Sequence, residues 1–165
     1  MNSFGNVFRV SLFGESHGNA IGVIIDGCPP GIPVSPDDFM PDLSRRQSGS
    51  RGTTNRHEPD KPEILSGIFN GFTTGSPITV ITRNSDRISS DYDDFKNIPR
   101  PGHADFVAGV KYSGFADLRG SGHFSGRITW GYVAAGVIAK KILKPAETEA
   151  KLISAGGSTD IGKAL

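Results

Sequence analysis

Three stretches of this chain combine histidine, arginine, glycine and hydroxyl residues in patterns suited to proton transfer and anion binding. The first is Gly14-Glu15-Ser16-His17-Gly18. It lies between two apolar runs, residues 7–13 and 21–27, which read as strands: short, β-branched and aromatic, with glycine at their ends. His17 therefore sits on a tight connection held from both sides, and an imidazole on a rigid turn can transfer a proton near neutral pH. Gly14 and Gly18 let the backbone bend and a ligand come close. Taken alone, a histidine in a glycine-flanked turn is more often a solvated loop residue.

The second stretch holds Arg45, Arg46, Arg51 and Arg56, with no acid between Ser44 and His57 to neutralise them. Ser48, Gly49, Ser50, Gly52, Thr53 and Thr54 are interleaved. Guanidinium forks match phosphate and carboxylate oxygens, and small residues let an anion reach backbone amides. A solvated basic loop is the other reading. The third comprises two turns. In Arg100-Pro101-Gly102-His103-Ala104-Asp105 a Pro-Gly turn delivers His103 to the start of a helix, where the dipole favours an anion and where His103 could equally be a plain cap. Arg119-Gly120-Ser121-Gly122-His123-Phe124-Ser125-Gly126-Arg127 leads into the longest helical pattern, again an anion cradle in principle.

Other chemistries fit less well. The glycine-rich turn lacks the Gly-Lys-Ser/Thr of a P-loop and follows no clear strand of a dinucleotide-binding unit. His17, His57, His103 and His123 show no metal-ligand spacing, so no metal is expected. Ser16 has the Gly-x-Ser-x-Gly setting of a hydrolase nucleophile, but a strand-like run stands where the nucleophile helix should follow. Nucleic acid is disfavoured, because no aromatic residues interleave the arginines and the net charge is only +1.

The elements that must position these groups alternate strand and helix. Ser35-Pro36-Asp37-Asp38 reads as a helix start running to about residue 46, with Pro41 as an interruption. Residues 64–69 and 78–82 read as strands of a hairpin joined by Thr73-Thr74-Gly75-Ser76-Pro77. A modest helix follows His103 to about residue 112. The long helix covers residues 125–143, with Ile128, Val133, Val137, Ile138 and Ile142 at helical spacing, and Lys144-Pro145 stops it. Gly131 and Gly136 within it point to close packing against a neighbour. Residues 150–155 read as a further strand. The mixture predicts an α+β fold.

At 165 residues the chain is long enough for one domain with a real core, and 36% hydrophobic against 21% charged residues places it among globular proteins. A single cysteine, Cys28, excludes an internal disulfide. No stretch resembles a signal peptide or a membrane span, so the cytoplasm is the expected compartment.

The ordered set of motifs resembles the chorismate synthase family. Phe8-Arg9-Val10 with Phe13-Gly14-Glu15-Ser16-His17-Gly18 is similar to the family's first signature, and Arg45-Arg46 with Ser50-Arg51-Gly52-Thr53-Thr54-Asn55-Arg56 to its arginine-rich loop. Thr73-Thr74-Gly75-Ser76-Pro77, Arg83-Asn84-Ser85-Asp86, Asp91-Tyr92 and the His103 turn follow in the family's order, and residues 122–129 are similar to its second signature.

The resemblance implies a shikimate-pathway lyase of aromatic amino acid biosynthesis. It would convert 5-enolpyruvylshikimate 3-phosphate to chorismate by anti 1,4-elimination of phosphate, using reduced FMN that is not consumed overall. NADPH serves bifunctional members as flavin reductant. His17 matches the histidine that protonates the departing phosphate, and His103 the one that protonates reduced flavin. Ser16, Arg45, Arg46, Arg51 and Arg56 match the substrate- or NADP-binding region, and His123, Phe124, Ser125, Gly126 and Arg127 the flavin-side segment. The implied fold is a β-α-β sandwich assembled as a homotetramer.

The sequence departs from the family at His123-Phe124-Ser125-Gly126-Arg127, where Arg-Ser-Ser-Ala-Arg is usual, at Ile128 for Glu, and at His57 for an arginine. Family members are longer, and their C-terminal part brings an Arg-x-Asp segment and much of the flavin pocket. The expected organisation is therefore residues 1–144 as the N-terminal part of the family domain and residues 145–165 as the start of a further strand or helix of it. A non-catalytic phosphate- or flavin-binding fragment, or an NAD(P)H-dependent flavin reductase, are the alternative functions.

Overall fold

The computed structural model describes residues 2–48, 56–85 and 98–160. Five strands form one antiparallel sheet in the order β1-β2-β3-β7-β4: β1 (Ser3–Phe4), β2 (Arg9–Gly14), β3 (Ala20–Asp26), β4 (Glu63–Ser66) and β7 (Ile78–Arg83). The two-stranded ribbon of β5 (Ile68–Phe69) and β6 (Phe72–Thr73) stands apart from it. The helices are α1 (Met40–Arg46), α2 (Asp105–Lys111) and α3 (Trp130–Leu143). The fold is α+β, as expected.

Strand alternation decides which face is buried. Leu12 pairs with Val23, and Val23 with Val80, so these side chains share the face that α3 covers. Trp130, Ala134, Val137 and Ile138 close that face from α3, while Phe39 and Leu43 enter from the chain leading into and through α1. Gly131 belongs to the same contact: a Cβ there would lie 2.6 Å from Leu12 Cδ2, so the helix lies closer to β2 than an alanine would allow. Gly136 has no such neighbour, with nothing within 4 Å, and the packing role expected of it is absent.

The helix expected from Ser35 is divided. Pro36–Phe39 is a tight 3-10 turn whose Asp38 carboxylate accepts from the Ser35 N–H at 2.7 Å, and α1 begins at Met40 with Pro41 in its first turn, where a missing N–H costs nothing. The predicted strand over 64–69 breaks at Gly67, whose φ is +80°, and its first part shifts register against β7 between Ile64 and Ser66. Residues 63–66 pair with β7, and the chain between them folds into the β5–β6 ribbon rather than a simple turn. The long helix starts five residues later than expected, at Trp130, behind a 3-10 turn at Gly126–Thr129. No strand forms over 150–155; Ala155 makes one isolated bridge to Ser158. Among the described residues no helix is long and apolar enough to cross a membrane.

Candidate active site

The site forms where the C-terminal end of β2, the C-terminal end of β7 and the 3-10 turns before α3 meet. β2 ends at Gly14, whose φ of +100° turns the chain sharply; a Cβ there would strike the Ala20 carbonyl at 2.4 Å. Ser16 and His17 follow, both buried. Gly122 and Asn84 grip the turn. The Ser16 N–H donates to the Gly122 carbonyl at 3.0 Å, and the Asn84 amide donates to the carbonyls of Glu15 (3.1 Å) and Gly18 (2.8 Å). His17 is thus fixed by backbone on either side, as the sequence implies, and also by a residue sixty-seven positions away in the chain.

His17 and His103 line one cleft of about 550 Å³ together with Arg46, Arg56, Arg100 and Arg127. Ser16, Ser125 and Gly126 lie in its wall. The described residues do not leave these arginines unneutralised. Glu58 and Asp60, just beyond the stretch in which no acid occurs, turn back into the cleft: Arg46 Nη1 lies 3.3 Å and Arg127 Nη1 2.6 Å from the Asp60 carboxylate, and Arg56 Nη2 lies 2.6 Å from Glu58. Arg100 makes a bidentate pair with Asp105 at 2.8 and 2.9 Å. Four guanidinium groups against three carboxylates leave a net cationic cleft, and two histidines can add to it. Burial pushes the Arg46 guanidinium below its ordinary value, Asp60 opposes this and Arg127 adds to it. Burial would raise the Glu58 carboxyl, but the N–H and hydroxyl of Ser85, Arg56 and the charge of Arg127 together hold it below the usual carboxylate range.

Arg127 is the most confined of the cations, 8% exposed. Its Nε donates to Asn84 Oδ1 at 2.7 Å. Its Nη2 is buried with no hydrogen-bond partner among the described residues, the nearest carboxylate oxygen, Glu58 Oε2, standing at 3.9 Å. A buried donor left unmet in a cleft wall is a place for an anionic oxygen.

Not every expected site residue arrives here. Arg45 projects from α1 with its side chain 82% exposed and 3.9 Å from Asp42, because one step along a helix turns a side chain by about 100° away from Arg46. Arg51 lies outside the described residues. His123 and Phe124 face a second cavity of about 460 Å³, shared with Phe13, Tyr112 and Phe115. His123 Nδ1 lies 3.0 Å from the Gly14 carbonyl and Nε2 2.9 Å from Asn2 Oδ1, which makes it a tie between the turn and the N-terminus.

The segment expected to face flavin is therefore split between two cavities. The cleft that keeps Ser125, Gly126 and Arg127 is lined by charged and hydroxyl-bearing residues, and its only rings among the described residues are imidazoles. Its guanidinium, imidazole and hydroxyl groups suit phosphate and carboxylate groups.

Sequence reasoning missed Glu58, Asp60 and Asp105 as site residues. Asp60 has φ +51°, unusual for a non-glycine residue, and its carbonyl accepts from the buried Trp130 Nε1 at 3.4 Å. A signal was available in their spacing: two acids two residues apart directly after the arginine loop.

These features define an α+β protein with a cationic cleft lined by two histidines. Residues 8–160 match the family described as chorismate synthase, and the chain belongs to that family. It is 57% identical over 166 residues to chorismate synthase of Chitinophaga pinensis, covering all of this chain and 50% of the relative. The chorismate synthase of Thermococcus kodakarensis is 54% identical over 140 residues, covering 85% of this chain and 39% of the relative. A crystal structure of chorismate synthase superposes on 84% of this chain and 34% of its own, with a TM-score of 0.59 and 34% identity. The chain spans about half the length, or less, of the curated relatives it matches.

Proposed function

We propose that this chain supplies the anion-binding and proton-donating wall of a chorismate synthase, acting on 5-enolpyruvylshikimate 3-phosphate. The observation that carries the reading is the unmet Nη2 donor of Arg127 in a cleft that also holds His17, Arg46 and Arg100. In the elimination the C3–O bond to phosphate breaks, a hydrogen leaves C6, and the departing phosphate takes up negative charge. Arginine forks and an imidazolium in a partly enclosed cleft oppose that charge build-up. His17 donates a proton to the leaving phosphate, and Arg46, Arg100 and Arg127 hold the substrate's anionic groups. Reduced FMN, when bound, supplies electrons to the reaction and is regenerated. Its pocket needs the part of the fold that the longer relatives carry and this chain does not span.

The test is anaerobic turnover with chemically reduced FMN and 5-enolpyruvylshikimate 3-phosphate, followed by chorismate absorbance. The chain is assayed alone and with the C-terminal half of the Chitinophaga relative. Chorismate is expected once that half is present. Silence in both assays, with phosphate-ester binding intact, would reduce the chain to a binding module.

A further inference from the structure

We propose that Glu58 and Arg56 form a strut that positions the Ser16–His17 turn, so that Arg56 is a positioning residue and not a contact for the ligand. The inference rests on the reading of His17 as the proton donor. Arg56 spends its guanidinium on protein atoms at both ends. Towards Glu58, Nε (3.0 Å) and Nη2 (2.6 Å) converge on one carboxylate oxygen. Towards the turn, Nη1 donates to the Ser16 hydroxyl and Nη2 to the Ser16 carbonyl, both at 2.8 Å. The backbone of Arg56 is held as well, its carbonyl accepting from the Ser48 hydroxyl.

Glu58 anchors the other end. Its second carboxylate oxygen accepts from the N–H and the hydroxyl of Ser85, each at 2.8 Å, and its side chain is 4% exposed. The strut thus runs from the residues after β7, through Glu58 and Arg56, to the peptide that carries His17. Asn84 grips the same turn from the β7 side through the Glu15 and Gly18 carbonyls. Between them, Asn84 and Arg56 fix three successive parts of the turn to one strand end. A donor that must meet a departing phosphate within a few tenths of an ångström needs such support. Arg46 and Arg127 differ: both pair with Asp60 in the cleft wall, Arg46 Nη2 donates to the Gly126 carbonyl, and Arg127 Nη2 has no hydrogen-bond partner among the described residues.

Amide hydrogen exchange by NMR on the intact chain, with inorganic phosphate as the anion probe, separates the two roles. Arg56→Lys keeps the charge and loses the fork. It is expected to speed exchange at the Ser16 and Gly18 amides by about tenfold or more, as loss of charged hydrogen bonds implies. Exchange in the β3–β7 ladder stays unchanged, and phosphate affinity stays within about threefold of the wild-type value. Glu58→Gln, which breaks the strut at its far end, is expected to give the same pattern. A tenfold loss of phosphate affinity with an unchanged turn would overturn the proposal and make Arg56 a ligand contact. Equal acceleration of turn and ladder would overturn it as well, leaving only general structural support. If neither variant folds, Ser16→Ala removes one acceptor of the strut, and its failure to loosen the turn would count against the proposal. The exchange readout needs no bound anion, so an absence of phosphate binding in the wild-type chain would sink the functional reading without deciding the strut.

Discussion

The ring of His17 lies against the backbone of Gly120: a Cβ built on Gly120 would stand 2.4 Å from His17 Cδ2 and 2.6 Å from Nε2. Gly120 also has a φ of +57°. Two separate constraints therefore select glycine there, the left-handed backbone and the space taken by the imidazole. Gly120→Ala is expected to displace His17 while leaving the arginines in place. Turnover of the complemented enzyme should fall by about tenfold or more, with phosphate affinity within about threefold of wild type. The strained φ should cost about 1 kcal/mol, read as a drop of about 2–4 °C in melting temperature.

Arg45 and Arg46 are neighbours in sequence with opposite fates, one exposed and one in the cleft. Arg46→Ala should weaken phosphate binding by about tenfold at low ionic strength and by less at high salt, where screening has already reduced the wild-type advantage. Arg45→Ala should change it by less than about twofold. Isothermal titration at two salt concentrations checks both; equal losses would mean that α1 turns differently from the structure described.

Acid should loosen the cleft. The hydrogen bond from Arg100 holds the Asp105 carboxyl below the usual range, and Arg119 does the same for Asp117. A carboxyl whose pKa is depressed in the folded state adds stability that is fully present above its unfolded value, about 3.9, and is lost as pH falls through the lower folded value. Denaturant melts should show stability falling below about pH 4. Asp105→Asn should flatten part of that fall and cost about 3 kcal/mol at pH 7, since it leaves Arg100 without its buried partner.

Gly131 and Gly136 lie on the same helix and should respond with opposite sign. Gly131→Val pushes into Leu12 and the Gly22 carbonyl and is expected to destabilise by about 1–3 kcal/mol. Gly136→Ala meets nothing within 4 Å and should stabilise by roughly 0.5–1 kcal/mol, the helix-propensity difference. Thermal melts of the two variants check the pair.

Much of the fold was legible in the chain. The runs flanking His17 became β2 and β3, the helical pattern after Ser35 ended at Arg46, and Lys144-Pro145 ended α3. These features are local: alternation, caps and proline act over a few residues. The errors were also local readings, but of segments whose state is decided elsewhere. The strand read over 64–69 stops at Ser66, and Gly67, with φ +80°, leads the chain into the separate β5–β6 ribbon. Residues 150–155 look like a strand but form none, Ala155 alone making an isolated bridge to Ser158.

The residue types alone determined that this chain carries histidine on a rigid turn and arginines beside small residues, and their order marks the family. Spacing along a chain states which groups exist and how local turns present them. Only the tertiary structure decided which arginines face the cleft and what neutralises them. Asp60 reaches Arg127 across sixty-seven residues, Asn84 reaches the His17 turn, and His123 leaves for another cavity. Such pairings depend on where the ends of separate elements converge, and Coulomb attraction and hydrogen bonding act on that distance in space, not on separation in sequence.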